Sequence, residues 1–281
     1  MLLPTRLLCV ARAECPCANR AVVHIPLEEL EARQHELSPP FVEMELLQTG
    51  VEAYYALGWL HARGRRARLK REFDLCHEAP SVQGEPSKAV GSHLAKEPSQ
   101  NGRGTVRYRL WEPNEFLQAI APSLSPGRAL DLACGAGREA VYLADLGWQV
   151  VAVDQLPDAL ARGRDLQARY APDAPPIHWI EANLETDWQP DGKFDLILCF
   201  FFLHRPLIRR LSDWLRPGGH LLIETFTEIH RAHFGRPASE ARVLRSGELP
   251  ALLAPNMTVR LHEEGWHIRG HTARLWAQWV G

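Results

Sequence analysis

The stretch 129-ALDLACGAGREAVYLADLGWQVVAVD-154 contains two short apolar runs, with a glycine-spaced turn and a helix-like segment between them. Two apolar strands joined by a helix predict neighbouring parallel strands in a sheet that is covered on both faces. At Gly135 and Gly137 the chain can turn tightly, and a ligand can approach the backbone beside the free N–H groups of the next helix. The turn therefore predicts a nucleotide-like cofactor site at the end of the first strand.

The same alternation of helices and strands extends over the C-terminal part of the chain. Helical patterns occupy 113–124, 138–147, 157–170 and 206–215, and strand-like runs occupy 129–133, 149–154, 177–183, 194–201 and 219–226. The segment 216-RPGG-219 predicts a turn, and 257–266 with 272–280 predict a closing antiparallel pair. We therefore expect an α/β fold: a doubly wound, Rossmann-like and mainly parallel sheet of seven strands.

Residues 78–104 have the composition of a flexible linker, with three Pro, four Gly, four Ser and little apolar periodicity. They divide the chain into an N-terminal segment, 1–77, and a domain, 105–281. The chain has 281 residues, of which 46% are hydrophobic and 23% are charged, which is typical of a soluble globular protein. The net charge of −2 provides no general basic field for nucleic acid, and no apolar run is long enough to span a membrane.

The six cysteines favour a reducing, cytoplasmic location. Cys134 lies in the glycine turn and Cys199 in an apolar run, where buried reduced thiols are expected. Cys15 and Cys17 lack a second pair at metal-binding spacing, so we expect no metal site. The N-terminal apolar run is interrupted, so we expect neither a secretory signal nor a transit peptide.

Two carboxylates indicate which cofactor the turn holds. Asp154, at the end of the second strand, is placed to accept hydrogen bonds from ribose hydroxyls, as NAD and S-adenosylmethionine both require. Ala140 stands where a third glycine would favour a dinucleotide, a permitted variant. Asp131, four residues before Gly135, would repel a pyrophosphate but attract an ammonium group. This carboxylate favours the sulfonium compound.

Five ordered motifs carry a family resemblance over 105–281. DLACGAG resembles the first motif of class I S-adenosylmethionine-dependent methyltransferases, and VVAVDQ, EANLETD, FDLILCFFFLH and LRPGGHLLIETF follow in the family's order. The resemblance implies that Asp131 and the 133–137 backbone hold the methionine end, Asp154 the ribose, and Asn183 with Leu184 the adenine. An acidic residue is common in the family where Asn183 stands, so weaker adenine binding is expected. The residues implied at the cofactor are Asp131, Ala133, Cys134, Gly135, Gly137, Asp154, Gln155, Asn183, Leu184 and Cys199.

A narrower resemblance concerns the methyl acceptor. The segments RLWEPNEFL, FLHRPL and ETFTEIHRAHFGRP are similar to small-molecule methyltransferases related to the tellurite-resistance group. In that group the segment before the first strand tends to cover the cofactor, so Trp111 and Pro113 are candidates for a lid. Ordinary packing of Trp111 at the sheet edge is the alternative. The implied partner is a small-molecule acceptor, and the oligomeric state stays open.

The catalytic candidates follow the fourth strand of the predicted sheet. Methyl transfer is an in-line displacement in which the cofactor carries the reactivity, and the protein aligns the reactants. His204 is a candidate base or positioning group, with a helix-capping histidine as the alternative. Arg205 either holds an anionic substrate or pairs with a carboxylate at a helix end. His230, His233 and Arg236, in the insertion after the fifth strand, are candidate lining residues.

The sequence also bears on acceptors other than small molecules. The sequence lacks the [DN]-P-P-[YFW] motif, which argues against methylation of exocyclic amines, and Cys199 lacks the context of a cytosine-C5 mechanism. One alternative is methylation of RNA or protein, with the N-terminal segment as a docking module. Another is a non-catalytic scaffold that has kept the cofactor pocket.

The N-terminal segment shows a second resemblance. VHIPLEEL, followed by VEAYYALGWLHARGRRARL, resembles part of a rhodanese-like domain, over about 23–75. A sulfur-transferring rhodanese presents a cysteine between those stretches, where this chain reads FVEMELLQTG, so sulfurtransferase activity is not expected. The run 63-RGRRARLKR-71 holds six basic residues, but residues 1–77 contain ten of each sign, which favours a solvated surface over a nucleic-acid patch.

Overall fold

The computed structural model describes residues 2–11, 21–47, 50–70 and 107–280. It divides into two compact units, the boundary falling between Trp111 and Glu112. The predicted linker at 78–104 and the cysteine pair at 15 and 17 lie outside the described residues. Within them, no helix is long and apolar enough to cross a membrane, and no group of three potential metal ligands is found.

The first unit is a small parallel sheet with one long helix. Its elements are β1 (Leu2–Pro4), β2 (Leu7–Cys9), β3 (Val22–His24), β4 (Met44–Leu47), α1 (Val51–Ala62), β5 (Ala67–Lys70) and β6 (Arg107–Arg109). In the described part of this unit, four parallel strands pair in the order β3-β2-β4-β5, and β1 pairs with β6. Leu8, Leu46 and Leu60 belong to its apolar core.

The basic run that follows α1 is largely engaged in local contacts. Arg63 approaches Glu31 and lies over the Trp59 ring, while Arg68 and Lys70 both pair with Glu45. These neighbouring carboxylates neutralise much of the local positive field. The geometry agrees with the interpretation of this run as a solvated, ion-paired surface.

The second unit contains the predicted alternation. Its elements are α2 (Glu115–Ile120), β7 (Arg128–Leu132), α3 (Arg138–Asp145), β8 (Gln149–Asp154), α4 (Pro157–Tyr170), β9 (His178–Glu181), β10 (Phe194–Phe200), α5 (Arg205–Ile208), β11 (Leu215–Phe226), α6 (Glu228–Phe234), α7 (Glu248–Ala251), β12 (Met257–His267) and β13 (Gly270–Trp279). Gly147, with φ of +91°, follows the end of α3 as predicted.

The seven strands of this unit form one mostly parallel sheet within the described residues. The order is β12-β13-β11-β10-β7-β8-β9, and only β13 runs antiparallel to its neighbours β11 and β12. On one face, Leu132, Cys199 and Ile223 lie in register and are fully buried. The predicted Rossmann-like sheet is confirmed, and the carboxyl ends of β7, β8, β10 and β11 share one edge.

Two local predictions between β10 and β11 were wrong. The helix expected over 206–215 is α5, which ends at Ile208, followed by a 3-10 turn at Leu211–Trp214. The segment 216–219 is not a separate turn but part of β11, because Leu215 already pairs with Phe194. The pairing then skips from Leu215 to His220 on β11 while β10 advances only from Phe194 to Leu196, so the glycines form an irregularity inside the strand.

Candidate functional site

The glycine turn after β7 combines an open position and a packed one. Gly135 and Gly137 both adopt positive φ, +54° and +70°. A Cβ added at Gly135 would meet nothing within 4 Å, whereas one at Gly137 would overlap the ring of Trp179. That ring also lies 2.6 Å from where a Cβ of Gly163 would be. Gly135 therefore leaves room for a ligand, while Gly137 is required by the packing of the chain on itself.

Asp154, at the end of β8, fixes the shape of this turn. Its Oδ2 accepts a hydrogen bond from the Gly135 N–H at 2.8 Å, and its Oδ1 accepts one from the Leu156 N–H at 2.9 Å. A carboxylate has about four acceptor sites, so both oxygens can still accept from ribose hydroxyls. The carboxylate thus orders the turn as well as facing the predicted ribose position.

Asp131, near the end of β7, is a buried carboxylate with an unsatisfied oxygen. Its side chain is 2% exposed, and Oδ2 has no hydrogen-bond partner. Burial raises the pKa of Asp131 well above its ordinary value, and the charges of Glu139 and Asp154 raise it further. An unpaired buried carboxylate is costly unless a cation or donor joins it. The site therefore fits a ligand that presents a positively charged group here.

Glu139 extends this acidic environment. It lies in the first turn of α3, and its Oε1 accepts a hydrogen bond from the Asn114 N–H at 3.0 Å. Three carboxylates, of Asp131, Asp154 and Glu139, therefore surround the turn. Such a field disfavours a pyrophosphate and favours a sulfonium and an ammonium group. Glu139 was not identified from the sequence, although the available signal was an acidic residue in the first turn of the helix that follows the glycines.

The two cysteines near the turn are inert. Cys134 and Cys199 are buried free thiols. Burial raises the pKa of Cys199 to about 12, with the charge of Asp131 adding to it, and burial likewise raises the pKa of Cys134. Neither thiol is therefore a nucleophile at neutral pH.

Two other residues predicted at the cofactor flank the turn. Ala133 adopts positive φ, +56°, and Gln155 is exposed beside Asp154.

The predicted adenine position lies after β9. Asn183 is exposed, and its Oδ1 accepts a hydrogen bond from the Glu185 N–H at 2.9 Å, while Leu184 is buried. The amide oxygen retains one acceptor site for an adenine amine. The Ala182 N–H donates to the Asp154 carbonyl at 3.0 Å, so this loop is tied to the end of β8.

His204 lies at the start of α5 without capping it. Its position is the N-cap, but no side-chain hydrogen bond to the helix is formed. Its Nδ1 is buried and has no partner. The capping alternative is therefore not what the structure shows, and His204 stays a candidate for contact with the acceptor.

Arg205, the second catalytic candidate, is engaged in an ion pair and in hydrogen bonds to the backbone. Its Nε and one terminal nitrogen donate to both oxygens of Glu248 at 2.6 and 2.9 Å. The guanidinium also donates to the carbonyls of Ala241 and Val243. Arg205 lines an open cavity of about 480 Å³, but four of its five N–H donors are already used. It pairs with the carboxylate at the start of α7, the alternative that the sequence left open.

A buried polar network at the end of β11 was not identified from the sequence. Glu224 is 1% exposed and accepts hydrogen bonds from Asn114 and Thr272, each at 2.8 Å. Arg274 lies 3.1 Å from the same carboxylate and also pairs with Glu115. The only available signal was a lone carboxylate in an apolar strand, 220-HLLIETF-226, which indicates a paired buried charge.

The predicted lining residues of the insertion lie on α6 or just beyond it. His230 is buried and His233 is exposed; both are on α6, and Arg236 follows the helix. Trp111 is fully buried, at the end of the first unit, and Pro113 is buried at the start of the second. The lid proposed for this segment stays a prediction.

Comparison with known proteins shows what the part of the chain around the glycine turn is similar to. Residues 129–219 match the family model described as "Methyltransferase domain". A ubiquinone biosynthesis O-methyltransferase of Xanthomonas oryzae pv. oryzae is 28% identical over 178 residues, covering 53% of this chain and 66% of that protein. An uncharacterized protein of Schizosaccharomyces pombe is 26% identical over 193 residues, covering 54% and 57%. The chain thus spans less than two thirds of the length of these curated relatives.

Two solved structures with a similar chain path illustrate the fold. TehB from Haemophilus influenzae is 19% identical, with a TM-score of 0.49, covering 59% of this chain and 62% of that chain. The N-methyltransferase NodS from Bradyrhizobium japonicum, in complex with S-adenosyl-L-homocysteine, is 19% identical, with a TM-score of 0.48, covering 59% and 85%. Residues 129–219, which include the glycine turn, are thus similar to a methyltransferase domain, and the curated relatives with a named activity are O-methyltransferases.

Proposed function

We propose that the chain transfers a methyl group from S-adenosylmethionine to a small-molecule acceptor. The observation that carries the proposal is the pairing of an open backbone position at Gly135 with the unsatisfied buried carboxylate of Asp131. The first leaves space for the cofactor, and the second needs a cation in that space. The narrower resemblance to the tellurite-resistance group supports a small acceptor.

The residues around the turn have separate roles in this proposal. Asp131 holds the ammonium group of the methionine moiety, Asp154 the ribose hydroxyls, and Asn183 with Leu184 the adenine. When bound, the cofactor supplies an electrophilic methyl group, whose bond to sulfur breaks with its electron pair as the acceptor's lone pair forms the new bond. The carboxylates and the turn backbone fix the direction of that displacement, and such positioning is worth roughly 7–11 kcal/mol in favourable cases.

His204 is the proposed proton acceptor for an oxygen or nitrogen nucleophile. Its Nδ1 is buried and lacks a partner, so Nε2 is the nitrogen that would accept the proton. This role requires the ring hydrogen on Nδ1, where it is a buried N–H without an acceptor; with the hydrogen on Nε2 instead, His204 is a positioning donor and not a base. A soft thiolate or chalcogenide acceptor would need no such base. The relatives named as ubiquinone biosynthesis O-methyltransferases make oxygen nucleophiles the first to test. Arg205 has no part in this proposal.

The cofactor is tested by calorimetric titration of the full chain with S-adenosylhomocysteine. Wild type is expected to bind, and Asp154→Ala is expected to lose binding because the Gly135 and Leu156 N–H groups lose their acceptor together with the ribose. Asp158→Ala is the matched control, since Asp158 is exposed on the first turn of α4. Equal affinities in all three proteins would refute the proposed cofactor site.

The acceptor is then tested with radiolabelled S-adenosylmethionine and a panel of thiols, tellurite and small hydroxylated acids. Methyl transfer to one class that His204→Ala abolishes, with cofactor affinity unchanged, supports the small-molecule proposal and the base. Tight cofactor binding without transfer to any class would favour the non-catalytic scaffold. Salt-sensitive RNA binding through 63–71, with RNA methylation, would favour a macromolecular acceptor.

For the first unit we propose a rhodanese-like binding module without sulfurtransferase activity. The parallel order of β3-β2-β4-β5 supports it, as does the sharp entry into α1 at Gly50, with φ of +127°. The sheet includes β2, which lies before the stretch that carried the resemblance. The sequence between β4 and α1 has no cysteine, and Cys9 is buried within β2. Transfer of sulfur from thiosulfate to cyanide by the full chain would refute this.

A further inference from the structure

A cluster of aromatic and histidine rings closes the carboxyl end of β11. Its rings are linked by centroid distances of 4.0 to 6.0 Å and come from β11, α6 and the β12–β13 hairpin. The members are Phe226, His230, His233, Phe234, Trp266 and His271. β11 is two strands from β7 in the sheet order, so the cluster begins roughly 10 Å from the glycine turn, given about 4.8 Å per strand. That distance suits an acceptor bound beside the cofactor.

His230 has a built place at the base of this cluster. It is 6% exposed and stacks on Phe226, with centroids 4.0 Å apart and an interplanar angle of 26°. A Cβ added at Gly270 would overlap the imidazole, and Gly270 has φ of +136°. The hairpin turn is therefore shaped to accept this ring, and no longer residue fits opposite it.

The protonation of His230 follows from its surroundings. Its Nδ1 is buried and has no hydrogen-bond partner among the described residues. A buried N–H without an acceptor is rarer and more costly than a buried lone pair, so we assign the hydrogen to Nε2. Burial lowers the pKa of His230, and the charges of Arg236, His233 and His271 lower it further. At neutral pH the ring is uncharged, and Nε2–H is its one hydrogen-bond donor.

Two other rings of the cluster are exposed to solvent, unlike His230. Trp266 is 56% exposed and Phe234 is 47% exposed, although both touch rings of the cluster. The contacts of Trp266 with His233, Phe234 and His271 are all near perpendicular, between 76° and 89°. No stacked partner covers the indole within the described chain. Two adjacent exposed aromatic rings, in one cluster with a histidine donor, supply the apolar and polar groups that recognise a planar ligand.

We propose that His230, Phe234 and Trp266 form the acceptor-recognition site, and that the acceptor is a planar aromatic ring bearing an oxygen that accepts a hydrogen bond from Nε2. This inference rests on the proposed methyl transfer, because it names the acceptor class of that same edge of the sheet. Trp266 and Phe234 contact the ring, and His230 fixes its orientation. In this arrangement His230 determines specificity, and the proposed proton acceptor is His204.

The test uses two probes that differ in the ring alone, catechol and trans-1,2-cyclohexanediol. Binding to the full chain is followed by saturation-transfer NMR, with and without saturating S-adenosylhomocysteine. Catechol is expected to bind and the diol to show no transfer. Trp266→Ala is expected to weaken catechol binding about 3- to 10-fold, the range for loss of an aromatic pair. Tyr55→Ala, at a residue 71% exposed in the first unit, should leave it unchanged.

The hydrogen bond is tested by two substitutions at His230. His230→Gln retains an N–H donor and is expected to keep most of the affinity, whereas His230→Phe keeps the ring shape and is expected to weaken catechol binding about 2- to 10-fold. Thermal unfolding verifies that each variant is folded. Equal loss in both variants, or equal binding of the two probes, would overturn the assignment.

Two further outcomes separate this inference from the proposed function. Catechol binding that depends on Trp266 and His230 in a chain that fails to bind S-adenosylhomocysteine would support the ring site and refute the methyl transfer. Cofactor binding with no effect of these substitutions on catechol would do the reverse. A dimer that Trp266→Ala dissociates, with no change in catechol binding, would assign the exposed rings to a second copy and overturn the acceptor site.

Discussion

Replacing Asp131 by Asn changes the charge at the cofactor site while nearly conserving the side chain's shape. In the free protein this carboxylate is buried, has an unpaired oxygen, and lies near Glu139 and Asp154. Removing its charge is therefore expected to stabilise the free protein. The same substitution removes the proposed partner of the cofactor's ammonium group. Hydrogen bonds to charged groups contribute about 1.5–3 kcal/mol, so affinity for S-adenosylhomocysteine should fall about 10- to 100-fold.

The pH dependence has a definite sign. Because the pKa of Asp131 is raised in the folded protein, the folded state binds this proton more tightly than the unfolded state does. The resulting contribution to stability is present at low pH and is lost as the pH rises through the raised value. An ammonium ligand binds the ionised carboxylate, so binding releases a proton below that value. Wild-type affinity should therefore increase with pH in this range, and the Asn variant should lose that dependence.

Calorimetry in two buffers of different ionisation enthalpy measures the released protons, and urea unfolding without ligand measures stability. Asp158→Asn is the control, because Asp158 is exposed. The reasoning requires opposite changes in Asp131→Asn, with stability rising and affinity falling. A variant that is less stable than wild type and binds S-adenosylhomocysteine equally well would show that Asp131 serves folding instead.

Three other results are expected. Gly137→Ala should destabilise the fold by more than about 1 kcal/mol, since a positive φ is combined with overlap on Trp179, and Trp179→Leu should relieve part of that loss in urea unfolding. Gly135→Ala has open space at its Cβ, so its main effect should be weaker S-adenosylhomocysteine binding in calorimetry; a stability loss equal to that of Gly137→Ala would contradict this. Arg205→Ala should cost about 2 kcal/mol of stability while KM for the acceptor is unchanged, and a rise in KM alone would restore its substrate role. Because Arg205 lowers the pKa of Glu248, this stabilisation should be present at neutral pH and disappear as the pH falls through the lowered value.

The features that could be predicted from the sequence depend on neighbours along the chain. The glycine turn, the end of α3 at Gly147 and the bounds of α4 follow from periodicity and from residues that fit special dihedral angles. The order of the motifs supplied the sheet class. For the turn and the helix ends the information lies in neighbouring residues, because the physics of helices and turns is local.

The features that were missed depend on contacts between distant residues. The sequence left two roles open for Arg205 and could not name its partner, because Glu248, which engages its guanidinium, lies 43 residues away. The helix there is short because Leu215 begins pairing with β10 before the RPGG segment. The sequence predicts that Gly137 makes room for a ligand. In the structure Gly137 makes room for the ring of Trp179, which comes from another strand. Sequence spacing identifies which residue types can act, but only the tertiary contacts determine which of them are already engaged.

The buried network at β11 shows what such contacts add to the site. Glu224 accepts from Thr272, whose hydroxyl lies 2.7 Å from Nδ1 of His267, and from Asn114, whose backbone N–H donates to Glu139. Burial raises the pKa of Asp131, and Glu139 is one of the two carboxylates whose charges raise it further. One hydrogen-bonded chain therefore connects the base of the hairpin, which carries the proposed ring site, with the acidic environment of the glycine turn. Buried charges of this kind are weak sources of stability but hold one geometry strongly once paired. Through Asn114 the network holds the start of α2 against the sheet edge, between the glycine turn and the proposed ring site. A substitution such as Glu224→Gln should therefore disturb both sites together.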